Sequence, residues 1–140
     1  MIDWNGFLSL AEELATRGDV AAKRSAISRA YYCAYHVARQ FLEISGVPVA
    51  DEGRAHYVVW KHLRDKGRSC RVVGIDGSKL YLLRKQADYD ARIHSIDRCT
   101  SDAMAMARKI LGLLEAEIQR AHPAGPNTDE SWNQLGFSRG

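Results

Sequence analysis

The sequence predicts an all-α fold, an up-and-down bundle of four to five helices. Apolar residues recur at the three-and-four spacing of amphipathic helices along nearly all of the first 121 positions. Helix-starting and helix-ending residues punctuate that pattern at intervals. The 140 residues suffice to bury one core as a single domain, with no internal repeat.

The first helix carries Trp4, Phe7, Leu8, Ala11, Leu14 and Ala15 on its apolar face, with Asp3 as N-cap. Arg17-Gly18-Asp19 closes it, and Asp19 caps the next helix. That second helix is long, about Val20 to Ser45, and Gly46-Val47-Pro48 ends it. At about 100° per residue, its residues sort into two sides. Ala26, Ile27, Ala30, Ala34, Val37, Ala38 and Phe41 fall on the core side, with Tyr31 at its edge. Ser25, Arg29, Tyr32, Cys33, His36 and Gln40 fall on the other, flanked by Tyr35.

A third helix spans about Gly53 to Asp65, with Tyr57, Val58, Trp60 and Leu63 as its apolar residues. Lys66-Gly67-Arg68-Ser69-Cys70 reads as a basic connector. Arg71 to Gly77 contains two glycines and fits either a short helix or a broken extended stretch. Helical spacing returns at Ser78, with Leu80, Leu83 and Ala87 leading to Asp88-Tyr89-Asp90. The last helix runs from about Ser95 to Ala121 on a stripe of Met104, Ala107, Ile110, Leu111, Leu114 and Ile118. Residues 1–121 thus form the bundle, and residues 122–140, opening on a proline- and glycine-containing run, read as a flexible tail.

Composition excludes several classes. No run approaches the roughly 18 uninterrupted apolar residues of a membrane span. The N-terminus shows neither the basic nor the apolar region of a secretory signal, so the expected location is the cytoplasm. Cys33, Cys70 and Cys99 are odd in number and lack histidines at ligand spacing, which predicts neither a disulfide framework nor a metal site. Gly74 to Lys79 lacks the length and flanking strand of a phosphate loop, and no cofactor motif appears elsewhere. The net charge is +3, yet Arg54 to Val72 alone carries +5, leaving −2 for the rest. Within that segment Lys61, Arg64, Lys66, Arg68 and Arg71 suit contact with RNA, or simply solvate a helix and a loop.

The chemistry-bearing pair is Arg29 and His36. Seven residues are nearly two helical turns, so both project from one face about 10 Å apart along the axis. An arginine holds a phosphate or its developing charge, and a histidine moves protons near neutral pH. Tyr32 lies between them on the same face and can stack on a base, bond a phosphate or pack an interface. Arg84 and Asp88 stand at ion-pair spacing on the later helix. His56 and His62 are six apart and therefore diverge around the third helix, which argues against a shared metal. One of them facing RNA stays open beside the plainer reading of two exposed histidines.

From about residue 5 to 120 the chain resembles the HEPN family of small helical bundles. The resemblance rests on Arg29, six intervening residues and His36, set in Ser28-Arg29-Ala30-Tyr31-Tyr32-Cys33-Ala34-Tyr35-His36. Leu83-Arg84-Lys85-Gln86-Ala87-Asp88-Tyr89-Asp90 adds a third element, like that of a subgroup of small bacterial and archaeal members. The resemblance implies a homodimer in which the motif helices meet and two arginines and two histidines line one cleft. It implies metal-independent RNA cleavage by attack of the 2′-hydroxyl, leaving a 2′,3′-cyclic phosphate and a 5′-hydroxyl, in a toxin or defence effector. His36 would then handle protons and Arg29 would hold the scissile phosphate. Tyr32, Gln40, Arg84, Asp88 and Tyr89 would touch substrate or orient the pair from behind. The alternative that it implies is a non-catalytic module binding a nucleotidyltransferase antitoxin or another protein. Two positions depart from the family pattern. Ala30 stands where a polar residue is common after the arginine, and Ala38 stands where some members carry a modifiable tyrosine.

Overall fold

The computed structural model describes residues 4–51 and 53–121 as five helices: α1 (Trp4–Ala15), α2 (Val20–Ile44), α3 (Ala55–Lys66), α4 (Arg68–Tyr89) and α5 (Ile96–Ala121). Among the described residues there is no strand, as an all-α bundle requires. No helix there is long and apolar enough to cross a membrane. The expected cap Asp3, His122 and the tail lie outside the described residues.

The bundle is organised around α2, which packs on α1, α4 and α5 and more lightly on α3. Asp19 caps α2 as expected, its carboxylate accepting from Ala22 N–H at 3.2 Å. Gly46, at φ 90°, turns the chain out of α2. Twelve of the 25 residues of α2 are buried, more than a single stripe supplies, because helices stand on three of its sides. This corrects the two-sided reading at three places. Cys33 is fully buried in the core rather than on the polar side, Tyr31 is fully buried rather than at the edge, and Tyr35 is buried rather than flanking solvent.

The hairpin of α3 and α4 differs most from the expectation. Only Gly67 separates the two helices, and α4 runs unbroken through the segment read as connector and uncertain stretch. Gly67 sits at φ 75°, ψ −179°, a conformation essentially reserved for glycine, which reverses the chain in one residue. Gly74 and Gly77 do not break the helix; both are buried against α3, Gly74 facing its backbone at Trp60 and Arg64 and Gly77 facing the Trp60 indole. A Cβ at Gly74 would fall 2.5 Å from the Trp60 carbonyl oxygen, and one at Gly77 would enter the indole ring itself. The glycines let two helical backbones approach closely around a tryptophan, so their cost in propensity is offset by packing.

Two arginines tie loops to α2. Arg24 donates to the carbonyls of Ala87 at 3.1 Å, Asp90 at 2.7 Å and Ala91 at 3.3 Å, satisfying the end of α4. Arg39 bonds Asp51 at 2.7 Å and the Val49 carbonyl at 2.9 Å, fastening the chain between α2 and α3.

Candidate functional site

Ser25, Arg29, Tyr32, His36, Gln40 and Glu43 run along the flank of α2 that stays open or half open. α1 borders this stripe on one side. Trp4 stacks on His36 with ring centroids 4.0 Å apart and planes 7° apart, and the Arg29 guanidinium lies 5.7 Å from the Phe7 ring centre. Trp4 and Phe7, one helical turn apart, thus match two residues nearly two turns apart on α2. Arg29 is exposed and His36 half-buried. Burial, and then the nearby Arg39 charge, pushes the His36 pKa below its ordinary value, which favours a neutral imidazole at pH 7.

α4 and the start of α3 border the other side. Arg84 is buried, with its guanidinium 5.1 Å from the Tyr32 ring centre, 5.5 Å from Tyr81 and 5.6 Å from Tyr31. Its Nη2 donates to the Tyr32 hydroxyl at 2.9 Å, and its Nη1 lies 3.6 Å from Asp88, the ion pair that the spacing predicts. The Ser28 hydroxyl donates to Asp88 at 3.3 Å, so this carboxylate spans from α4 to the motif helix. Tyr89 stands 73% exposed at the end of α4.

Of the two histidines on α3, His56 is not a plain exposed one: it packs against the aromatic residues of this site. It is half-buried, stacked on Tyr35 at 4.1 Å, and its Nδ1 lies 2.6 Å from the Tyr31 hydroxyl. Trp60 Nε1 donates to the same hydroxyl at 3.1 Å. Desolvation, reinforced by the Arg84, His36 and Arg39 charges, pushes the His56 pKa down to about 4. The sequence held one usable signal: His56 and Trp60 are four apart, so a buried tryptophan draws the histidine to the same face. His62, by contrast, is exposed.

The basic segment divides. Lys61 pairs with Asp65 at 2.8 Å, and Arg64 donates to Ser78 at 2.7 Å across the hairpin. Arg68 and Arg71 lie about 20–24 Å down α4 from Arg84. Lys66 and Arg68 line a separate hollow of about 390 Å³ with Phe41, Cys70 and Glu117. The cations set against Tyr32 and near His36 are Arg84 and Arg39 respectively.

Ala30 and Ala38 are both fully buried, so packing against the core sets these positions. Among the described residues no group of three or more His, Cys, Asp or Glu side chains is placed to hold a metal ion. No family model, curated protein or solved structure matches the chain.

Proposed function

We propose that this chain is a HEPN-type, metal-independent endoribonuclease that acts on RNA as a homodimer joined through α2, in the role of a toxin or defence effector. The observation that carries the reading is the open stripe of α2, where an exposed Arg29 and a half-buried His36 share one face and are held by Phe7 and Trp4. Burial keeps the His36 imidazole neutral near pH 7, the form that accepts a proton from a ribose 2′-hydroxyl. The guanidinium of Arg29 suits the phosphate whose charge grows during attack. Bringing together two copies of the stripe sets a second His36 at the site, and the leaving 5′-oxygen takes up the proton that a neutral His36 has removed from the 2′-hydroxyl, so no imidazolium is needed at the start. Atoms balance without a co-reactant: the 2′-oxygen bonds to phosphorus as the 5′-oxygen leaves, giving a cyclic phosphate.

Cleavage of end-labelled RNA in EDTA by the wild type, Arg29→Ala and His36→Ala tests the proposal. Cyclic-phosphate products formed by the wild type and lost in both variants support it. Cleavage at the wild-type rate by the variants overturns it.

One observation favours a second reading, a non-catalytic module that docks a nucleotidyltransferase or another protein. Trp4 covers one whole face of the His36 ring, as in a packed interface. An inactive wild type that remains dimeric selects this reading.

A further inference from the structure

We infer that Tyr32 and His56 form a phosphate-binding pair within one protomer, each presenting a hydrogen-bond donor that a buried partner orients from behind. This deepens the RNA reading above and rests on it for the molecule that carries the phosphate.

The first relay begins at Trp60. An indole only donates, so its N–H at 3.1 Å occupies a lone pair of the Tyr31 oxygen. Tyr31 is fully buried, and burial raises its pKa, so the phenol keeps its proton. That proton goes to His56 Nδ1, 2.6 Å away, because a buried hydroxyl without an acceptor is costly. With Nδ1 accepting, neutral His56 carries its own proton on Nε2, the nitrogen directed away from Tyr31. The groups facing the ring are Tyr31, Tyr32, Tyr35, His36 and Arg39 from α2 and Tyr81 and Arg84 from α4; the cations among them oppose its protonation. His56 is thereby a fixed donor at neutral pH and not an acid or base.

The second relay begins at Arg84. Its side chain is 9% exposed, its Nε has no hydrogen-bond partner, and its Nη2 donates to the Tyr32 oxygen at 2.9 Å. The Tyr32 oxygen accepts on its inner side, leaving its O–H to donate outward. The Tyr32 and His56 rings are both half-buried, with centroids 6.3 Å apart. Two donors backed by one buried cation suit a ligand with several anionic acceptor oxygens, which a phosphate is. A cationic ligand would meet Arg84, and a neutral carbonyl would leave that charge unused. Free phosphate and the phosphodiester of RNA share this chemistry; Tyr32 lies on the same stripe as Arg29 and His36, and His56 borders it from α3.

The test is a ¹⁵N–¹H ring correlation spectrum of the full-length protein titrated with inorganic phosphate, alongside binding of a 2′-O-methyl oligoribonucleotide that cannot be cleaved. The expected His56 ring is the Nε2–H tautomer between pH 6 and 8, and its signals shift saturably with phosphate. Binding of the oligoribonucleotide falls at least tenfold in His56→Phe and stays within threefold of wild type in His56→Gln, whose amide N–H replaces the Nε2 donor. An Nδ1–H tautomer, or no saturable shift, overturns the inference. If RNA binds while phosphate leaves His56 unmoved, the pair fails and the RNA reading survives. If phosphate shifts His56 and no RNA binds, the pair stands and the RNA reading fails. Should His56→Phe not fold, the tautomer and the phosphate titration of the wild type decide alone.

Discussion

Trp4 lies flat on His36, with 4.0 Å between the ring centroids and 7° between the planes. The first described residue of the bundle therefore sets the solvation of the motif histidine. Trp4→Ala removes that cover, and the charged imidazolium is then less penalised. The expected result is an upward move of the His36 titration midpoint toward its ordinary value of 6.5, read by NMR. An unchanged midpoint would assign the shift to Arg39 instead.

Arg29 and His36 are predicted to act as one unit. Each alanine variant should lower the RNA cleavage rate at least about 100-fold, the usual loss when a positioned proton-transfer group (His36) or a donor to the developing charge (Arg29) is removed. Circular dichroism should show the helices intact, since Arg29 is exposed and His36 half-buried.

Acid stability follows from the two histidines. Their folded-state pKa values lie below the unfolded value, with His56 at about 4. The unfolded chain therefore binds more protons in that window, and stability that is full above about pH 6.5 is lost as the pH falls through it. Thermal melts should show Tm declining from pH 7 to pH 4, with a shallower decline in His56→Gln, which cannot charge. Identical acid profiles for the two proteins would reject this.

Glycine-to-alanine substitution should change sign with position. Gly112, on the exposed side of α5, has nothing within 4 Å of a new Cβ, so Gly112→Ala should stabilise by up to about 1 kcal/mol through helix propensity. Gly77→Ala drives a methyl into the Trp60 ring and should destabilise by about 1–3 kcal/mol. Urea denaturation of the two variants beside the wild type measures both.

Gly67→Ala offers a third sign test. The position has nothing within 4 Å of a Cβ, yet its φ of 75° strains any other residue. The cost should be about 1–3 kcal/mol despite the open space, again by urea denaturation.

Element placement is legible where apolar spacing runs unbroken, as at α1 and α5, and at α2 also through its Asp19 cap. It failed at α4 because Gly67, Gly74 and Gly77 carry the same letter and do different work. Gly67 turns the chain, Gly74 admits the backbone of α3 at Trp60 and Arg64, and Gly77 admits the Trp60 indole, so only the tertiary neighbour distinguishes them. The core side of α2 was underestimated because helices stand on three sides of it, so Cys33 and Tyr35 have packing partners that a two-sided wheel does not provide. Arg29, His36 and the Arg84–Asp88 pair could be read from spacing within single helices. For His56 the spacing to Trp60 gives its face on α3, but its partners Tyr31 and Tyr81 come from α2 and α4 and show only in the fold.

The indole of Trp60, seated over Gly77 while Gly74 admits the backbone of the same helix, also works as a gauge. α3 cannot slide along α4 by even one turn without pulling that ring out of its seat. The offset between His56, near one end of α3, and Arg84, ten residues beyond Gly74, is therefore inherited from an interlock that touches neither. Sequence drift at Gly74 or Gly77 would detune the stripe from a distance, with every chemical group still present.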